Sequence, residues 1–423
     1  MGGFGMKVAV VGGGLAGLSA ALDLADAGCS VTLYEARPTL GGAVQTLPAR
    51  EGDPEPPPDN GQHIALGCFT EYLHFLDRIG SAGAVRRAPL ALPVIDERGV
   101  ASSVRRSPAS LLRYRHLAPG ERLAAIRALL SLRKLDPREV DGATFGEVLR
   151  RLGQSQLAIE RFWDVFIRPA LNLPADEACA MLGTFTVQTG LLASRSDSDL
   201  VIPVAPLGSM HGDAARRAVE EAGGTVREDT RVTSLDELDT DVVVIAVPPA
   251  ESARLLGEEP PQLTDSPIVS IHLLFDRPVL RAPLAALLGS DAHWVFDRGR
   301  LTGHPPEGGG QYLTVVSSGV PELMEIRGRE LVERIASQLV ERLGRARLLW
   351  SRVSREPQAT IAATPGQAHR RLPAATSHPN VVRAGAWTQT GWPATMESAV
   401  RSGRTAASML GAEVTWAEAR YAS

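Results

Sequence analysis

Cysteine is scarce. Three thiols, Cys29, Cys68 and Cys179, occur in 423 residues, too few for a disulfide framework, and no Cys-x-x-Cys pair is available for metal or redox chemistry. A reducing, cytoplasmic compartment is therefore expected. Lysine is scarcer still: Lys7 and Lys134 are the only two among 44 basic residues. Val8 and Leu135 follow them, so no Gly-x-x-x-x-Gly-Lys phosphate loop exists. Long apolar runs are also missing. The stretch Val8 to Leu22 is 15 residues long and broken by four glycines, short of the ~20 apolar residues that a spanning helix needs. Net charge is only −4, which gives no reason to expect nucleic acid. The histidines show no ligand-pair spacing, so no metal is expected, and no Gly-x-Ser-x-Gly elbow is present.

What remains is an ordinary globular composition, 44% hydrophobic and 22% charged, long enough for two domains. Residues 1–5 read as a leader before a second methionine. Lys7 to Val11 is a short β-branched run suited to a buried parallel strand. Gly12-Gly-Gly-Leu-Ala-Gly17 follows, then Leu18 to Ala27 at helical spacing, with Gly28 closing the helix. A second strand, Ser30 to Tyr34, ends at Glu35. In such a unit Gly12 permits the tight turn, Gly14 lets backbone approach a pyrophosphate, and Gly17 lets helix and strand pack closely. The phosphate then sits at the helix's amino end, where unpaired N–H groups and the dipole favour negative charge. Glu35, 21 residues after Gly14, is placed to accept hydrogen bonds from ribose hydroxyls, with Ala36 beside it. An acid there favours FAD or NAD over NADP. The glycine pair Gly41-Gly42, soon after the ribose acid, favours FAD, because NAD domains normally proceed to a crossover helix at this point.

With these motifs the sequence resembles the FAD-dependent amine oxidase and phytoene desaturase superfamily. Arg231-Val232, after a helix and short strand (208–227), resembles the site where backbone meets the adenine. Val242 to Pro249 resembles the strand that closes the FAD domain. Val381-Val-Arg-Ala-Gly-Ala-Trp387 and Gly391-Trp-Pro-Ala-Thr-Met396 resemble the flavin-facing strand and the start of the final helix. Within the superfamily the chain looks like the squalene-associated desaturases, understood as hydroxysqualene dehydroxylases of hopanoid synthesis. Asp59-Asn-Gly-Gln-His63, Arg161-Phe-Trp163, Pro169-Ala-Leu-Asn-Leu-Pro174, Pro206-Leu-Gly and His211-Gly-Asp carry that similarity. Two positions depart from the wider pattern. Ala43 stands where an arginine often follows the second glycine pair, and Ala386 stands where an aspartate usually bonds the ribityl chain.

The resemblance implies an α/β fold: a glutathione-reductase-like FAD-binding Rossmann domain with an interleaved α+β substrate domain. It implies non-covalent FAD held by Gly12, Gly14, Leu15, Ala16, Gly17, Glu35, Ala36, Gly41, Gly42, Gly61, Gln62, Val232, Gly385, Ala386, Trp392, Thr395 and Met396. The amino end of the final helix would face the flavin N1–C2=O edge, where negative charge gathers on reduction. FAD-binding pieces are expected at 1–75, 200–265 and 376–423, and substrate-domain pieces at 76–199 and 266–375. Helices are expected over Leu111 to Leu135, Thr144 to Leu171 and Pro321 to Leu343, and strands over Ile268 to Asp276 and Gln311 to Ser317.

The implied chemistry is reduction of hydroxysqualene to squalene. An allylic alcohol loses water and reduced flavin N5 delivers hydride to the cation, which needs a proton donor, a dry pocket and aromatic faces. His63 is the candidate donor, alongside a structural or flavin-contacting role; Asp59 is a weaker candidate. Phe69, Trp163, Trp387 and Trp392 are candidate pocket aromatics, or packing residues. The alternatives are a carotenoid-type desaturase or an amine oxidase of the same fold. The latter is disfavoured because Lys134 lies far from the flavin motifs, Lys7 heads a strand, and no cysteine follows Cys179. Arg105 to Arg138 carries nine Arg/Lys against two acids, interleaved with leucines. This suits a helix pressed on anionic lipid at the inner face of the plasma membrane. The substrate is expected to be an apolar isoprenoid and the electron donor external.

Overall fold

The computed structural model describes residues 5–413; the expected leader, apart from Gly5, and residues 414–423 lie outside them. Strand Lys7–Val11 is buried beyond its first residue because its Val and Ala side chains are covered on both faces. It sits in a parallel five-stranded sheet with the order 381–383, 242–245, 7–11, 30–34, 225–227. Gly28, at φ +82°, turns the chain out of helix Leu15–Asp26. That helix packs on the final helix, Met396–Met409. Gly403 makes the approach possible, since a Cβ there would collide with the carbonyl of Ala16.

A second sheet has the order 348–361, 265–275, 311–318, 294–297, 284–287, 91–95, 101–105. It is antiparallel except where 284–287 meets 91–95. Leu331, Ile335 and Leu339 of helix Gly328–Leu343 bury against Ile271, Leu273 and Val315 on one side of it. Leu92, Val94 and Phe296 join a separate core with Phe145, Phe162 and Trp163 of the helical segment. This second sheet thus separates a solvent-side helix from the helical segment that closes the cavity.

Three expected helices are interrupted, each for a local reason. Leu111 to Leu135 is two helices, Pro108–Leu112 and Pro119–Leu132, because a proline opens each and Tyr114, His116 and Leu117 turn inward between them. Thr144 to Leu171 breaks after Phe145–Arg151, with Gly153 at φ +79°, and resumes over 156–171 until Asn172 ends it in a left-handed conformation. Pro321 to Leu343 divides into Pro321–Glu325 and Gly328–Leu343, with Gly328 at φ +41°. The expected strands occur as Asp265–Phe275 and Gln311–Ser318. No helix among the described residues is long and apolar enough to cross a membrane.

Candidate active site

The two glycine segments form one cradle. Gly12 leaves the first strand at φ +110°, and a Cβ there would meet the carbonyl of Ala246. A Cβ on Gly17 would strike the carbonyl of Gly12. The Gly41 N–H donates to Gly13 O at 2.8 Å, and a Cβ on Gly42 would lie 2.9 Å from Gly14 Cα. Helix Leu15–Asp26 begins at Gly14 with no side-chain cap and no acid in its first turn. The N–H groups of Leu15, Ala16 and Gly17 are therefore left to an anion. Glu35 closes the rim, its carboxylate accepting from Gly13 N–H at 2.7 Å and Arg37 N–H at 2.9 Å, with exposed Ala36 next to it. Val232 is buried against Val11, Val243 and Ile245. A bulky anionic dinucleotide fits this glycine-lined cradle.

A cavity of about 410 Å³ leads away from the cradle. Leu15, Gly41, Ala43, Ala386, Thr395 and Met396 line one part of it, and Leu66, Leu92, Phe166, Leu191, Phe296 and Val316 another. Its described lining contains no lysine, arginine or aspartate; the titratable groups are His63, Cys68 and Glu356. Burial, with help from the Glu397 and Asp197 carboxylates, pushes the Cys68 thiol up to about 12. Among the described residues no cluster of three or more His, Cys, Asp or Glu could hold a metal.

The Asn-Gly-Gln-His block borders the cavity, with Asn60, Gly61, Gln62 and His63 all in its lining. Asn60 fastens it to the second glycine turn, donating to Ala43 O at 2.8 Å and accepting from Gln45 N–H at 3.3 Å. His63 Nδ1 lies 3.4 Å from Gly61 O. Donation there puts the proton on Nδ1 and leaves Nε2 as the lone-pair nitrogen. Burial holds the imidazole below its usual basicity, so it is neutral near pH 7. Asp59 does not join it. Its carboxylate pairs with Arg298 at 2.6 Å and also accepts from Thr46 Oγ1 and Leu207 N–H, away from the cavity lining. That pairing makes it a structural anion and removes it as an acid candidate.

The aromatics divide differently from expectation. Trp392 lines the cavity between Phe69 and Phe185, edge to face with both at 5.9 and 5.1 Å, and the Arg401 guanidinium lies 4.9 Å from its ring centroid. Trp163 is a core residue: it packs on Phe145 and Phe162 and its indole N–H donates to Gln154 at 2.9 Å. Trp387 is likewise outside the lining; its indole N–H donates to Val247 O at 3.1 Å, tying the ends of two sheet strands. The residues flanking each ring do not reveal which neighbour an indole faces. Phe185 and Asn60 line the cavity without having been read as site residues in the sequence, and Arg371, outside the lining, holds the loop 386–398 beside it. Asn60 was readable as the residue between Asp59 and Gly61, whereas Arg371 lies in a loop with no periodic or spacing signal.

Past the closing strand, Gly385 N–H donates to Ser402 Oγ at 2.8 Å, and a Cβ on it would overlap the Trp387 ring. Thr395 caps the final helix, its hydroxyl accepting from Ser398 N–H at 3.4 Å. Residues 15–410 match the family described as flavin containing amine oxidoreductase. The chain belongs to that family. Like other flavin containing amine oxidoreductases it is an FAD-dependent oxidoreductase, with a mixed α/β fold built on a Rossmann-like parallel sheet. The chain is 29% identical to hydroxysqualene dehydroxylase of Sinorhizobium fredii, over 95% of this chain and 98% of that protein. It is 25% identical to the chloroplastic/chromoplastic zeta-carotene desaturase of Zea mays, over 96% and 84%. In fold it is similar to cyclohexylamine oxidase from Brevibacterium oxydans, with a TM-score of 0.71 at 17% identity over 96% and 98%.

Proposed function

We propose that this oxidoreductase reduces hydroxysqualene to squalene. The observation that carries the reading is the cavity: apolar over most of its lining, free of lysine, arginine and aspartate among the described residues, and continuous with the glycine cradle. The full-length similarity to a hydroxysqualene dehydroxylase supports it. Bound, non-covalent FAD, once reduced, supplies the hydride. The C–O bond of the alcohol breaks, the hydroxyl leaves as water with one added proton, and a C–H bond forms at the allylic carbon. The chain's contribution is a dry site that raises the cost of stray water attack. Phe69, Phe185 and Trp392 offer π-faces to the developing cation. His63 sits in the same lining, where its protonated imidazole would give the leaving hydroxyl the proton it needs.

The division of labour assigns 1–75, 200–265 and 376–423 to FAD and 76–199 and 266–375 to the substrate. Leu112, Leu123 and Leu130 are 46–60% exposed on the basic segment, among Arg113, Arg127, Arg133 and Lys134. We assign this face to contact with anionic lipid, the medium from which a squalene-like substrate arrives. The C-terminal turn of helix Pro119–Leu132 is tied to the cavity wall, because Gln188 donates to Leu132 O and Leu135 O at 2.7 Å each, next to cavity-lining Thr189 and Gly190.

The test is anaerobic incubation of dithionite-reduced holoenzyme with hydroxysqualene, following squalene and flavin reoxidation together. Squalene formed in step with reoxidation supports the reading. No turnover, alongside reduction of the oxidised flavin by phytoene, favours a desaturase, the second reading, which the zeta-carotene desaturase similarity supports.

A further inference from the structure

Arg371 is buried, 4% exposed, in the loop that precedes the closing strand of the first sheet. It has no carboxylate partner among the described residues. Its guanidinium donates instead to the carbonyls of Trp392 and Ala386 at 2.5 Å each and of Trp387 at 3.4 Å, and to the hydroxyls of Ser398 and Thr390 at 3.2 and 3.4 Å. Every one of these acceptors belongs to the segment 386–398, which supplies Ala386, Trp392, Thr395 and Met396 to the cavity. Ser398 is also in the first turn of the final helix, so the cation stands at that helix's positive end. Two like-signed sources of potential thus converge, and the acid of that first turn is Glu397.

The neighbouring charges do not cancel it. Glu397 is fully buried but pairs with Arg401 at 2.7 Å and accepts from the N–H groups of Glu71 and Tyr72. Of the titratable groups in the cavity lining, burial holds His63 and Cys68 toward their neutral forms, and Glu356 lies on strand 348–361 of the second sheet. Burial draws Arg371 down to about 10, which leaves it charged throughout the neutral range. Holding an unpaired cation in the interior costs stability, and a loop could be fastened by neutral amides instead. The charge therefore has a use beyond fastening.

We infer that Arg371 is a positioning and electrostatic residue for the flavin: it sets the 386–398 loop and biases the bound cofactor toward its anionic reduced form. The inference rests on the family's FAD and not on the identity of the substrate. The ionised N1–C2=O edge, when held at the helix end, gains from a second positive charge in a low-dielectric wall. The same charge lowers the affinity of the N1 nitrogen for a proton. It also donates to the carbonyl of Ala386, a cavity-lining residue whose side chain carries no countercharge.

The experiment is redox titration of the purified holoenzyme from pH 6 to 8 without substrate, for the wild type and for Arg371→Met and Arg371→Lys. The wild type is expected to take up one proton per two electrons, a tenfold change in the redox equilibrium per pH unit, or about 30 mV. Arg371→Met should cost at least tenfold in preference for reduced over oxidised FAD and raise the pH at which the second proton binds; Arg371→Lys should restore most of that preference. An unchanged preference in Arg371→Met that still binds FAD overturns the inference. Should Arg371→Met not fold, the wild-type profile decides, and two protons per two electrons across the range overturns it. Inactivity toward hydroxysqualene would leave all of these readings in place, so the two proposals fail separately.

Discussion

Asp59 and Arg298 form an ion pair at 2.6 Å with neither side chain more than 3% exposed. The pair bolts the segment before the Asn-Gly-Gln-His block to the second sheet, since Arg298 also donates to Pro57 O at 2.8 Å. Removing one partner leaves the other charged and buried. Arg298→Met should therefore destabilise the fold by about 3–5 kcal/mol, measured by urea unfolding. Asp59→Asn should cost less, because its amide still accepts from Leu207 N–H. If instead Asp59→Asn kept full stability but abolished turnover, Asp59 would return as a catalytic group.

Gly42 is the clearest single position at which to separate cofactor binding from folding. It lies at φ +62°, and a Cβ would approach Gly14 Cα at 2.9 Å. Gly42→Ala should push apart the two glycine segments and lower FAD affinity by at least tenfold, read as loss of yellow colour on desalting. Stability of the apoprotein should fall by about 1–3 kcal/mol, the cost of an alanine held in a sparsely populated positive-φ conformation.

The first strand, glycine turn, helix and second strand were legible because local sterics dictate them. Gly12 and Gly17 face carbonyls that admit no side chain, so no other residue could stand there. The second sheet was only partly legible. Strand 91–95 pairs with 284–287 across nearly two hundred residues, and nothing in either segment encodes the other. The helix breaks at Pro119 and Gly328 overrode otherwise continuous apolar spacing. In the site, chemistry-bearing residue types were readable but their directions were not. Trp163 and Trp392 look alike in sequence; one faces Gln154 in a core and the other faces the cavity. Arg371 left no trace because its partners are mostly backbone carbonyls, which every residue has.

Trp163 allows that distinction to be checked. Trp163→Phe removes the donor to Gln154 Oε1 inside a packed core, and should cost about 1–3 kcal/mol of stability. Turnover per folded, FAD-loaded molecule should stay within about twofold. Trp392→Leu should do the reverse: little effect on the melting transition and a fall in kcat of at least tenfold, because its ring sits edge to face among cavity aromatics. A kcat loss in Trp163→Phe would place that ring in the substrate site after all.

On the basic helix, Leu123 and Leu130 are 53% and 60% exposed and flank exposed Arg127, while Ala125, Ala128 and Leu132 face the core. The outward face can therefore be altered without touching packing. Leu123→Ser with Leu130→Ser should weaken sedimentation with phosphatidylglycerol vesicles, and Arg127→Ser should remove about 1 kcal/mol more. Binding should fall as salt rises, since screening shortens the reach of the cations. Equal binding by wild type and triple variant would dismiss the lipid face.

His63 gives the sharpest pH test. Burial lowers its basicity, so the protonated imidazolium appears only below the ordinary ~6.5 value. If it donates the proton to the leaving hydroxyl, kcat/KM for reduced enzyme must rise as pH falls and level off once the folded-state pKa is passed. His63→Gln keeps a hydrogen-bonding side chain at the Gly61 carbonyl but cannot supply that proton. It should retain FAD, lose about 10²-fold in rate, and show no acid limb between pH 5 and 7. A variant that is slower but keeps the same limb would assign the proton to another group and leave His63 a cavity-shaping role; an unchanged rate would remove it from the reaction altogether.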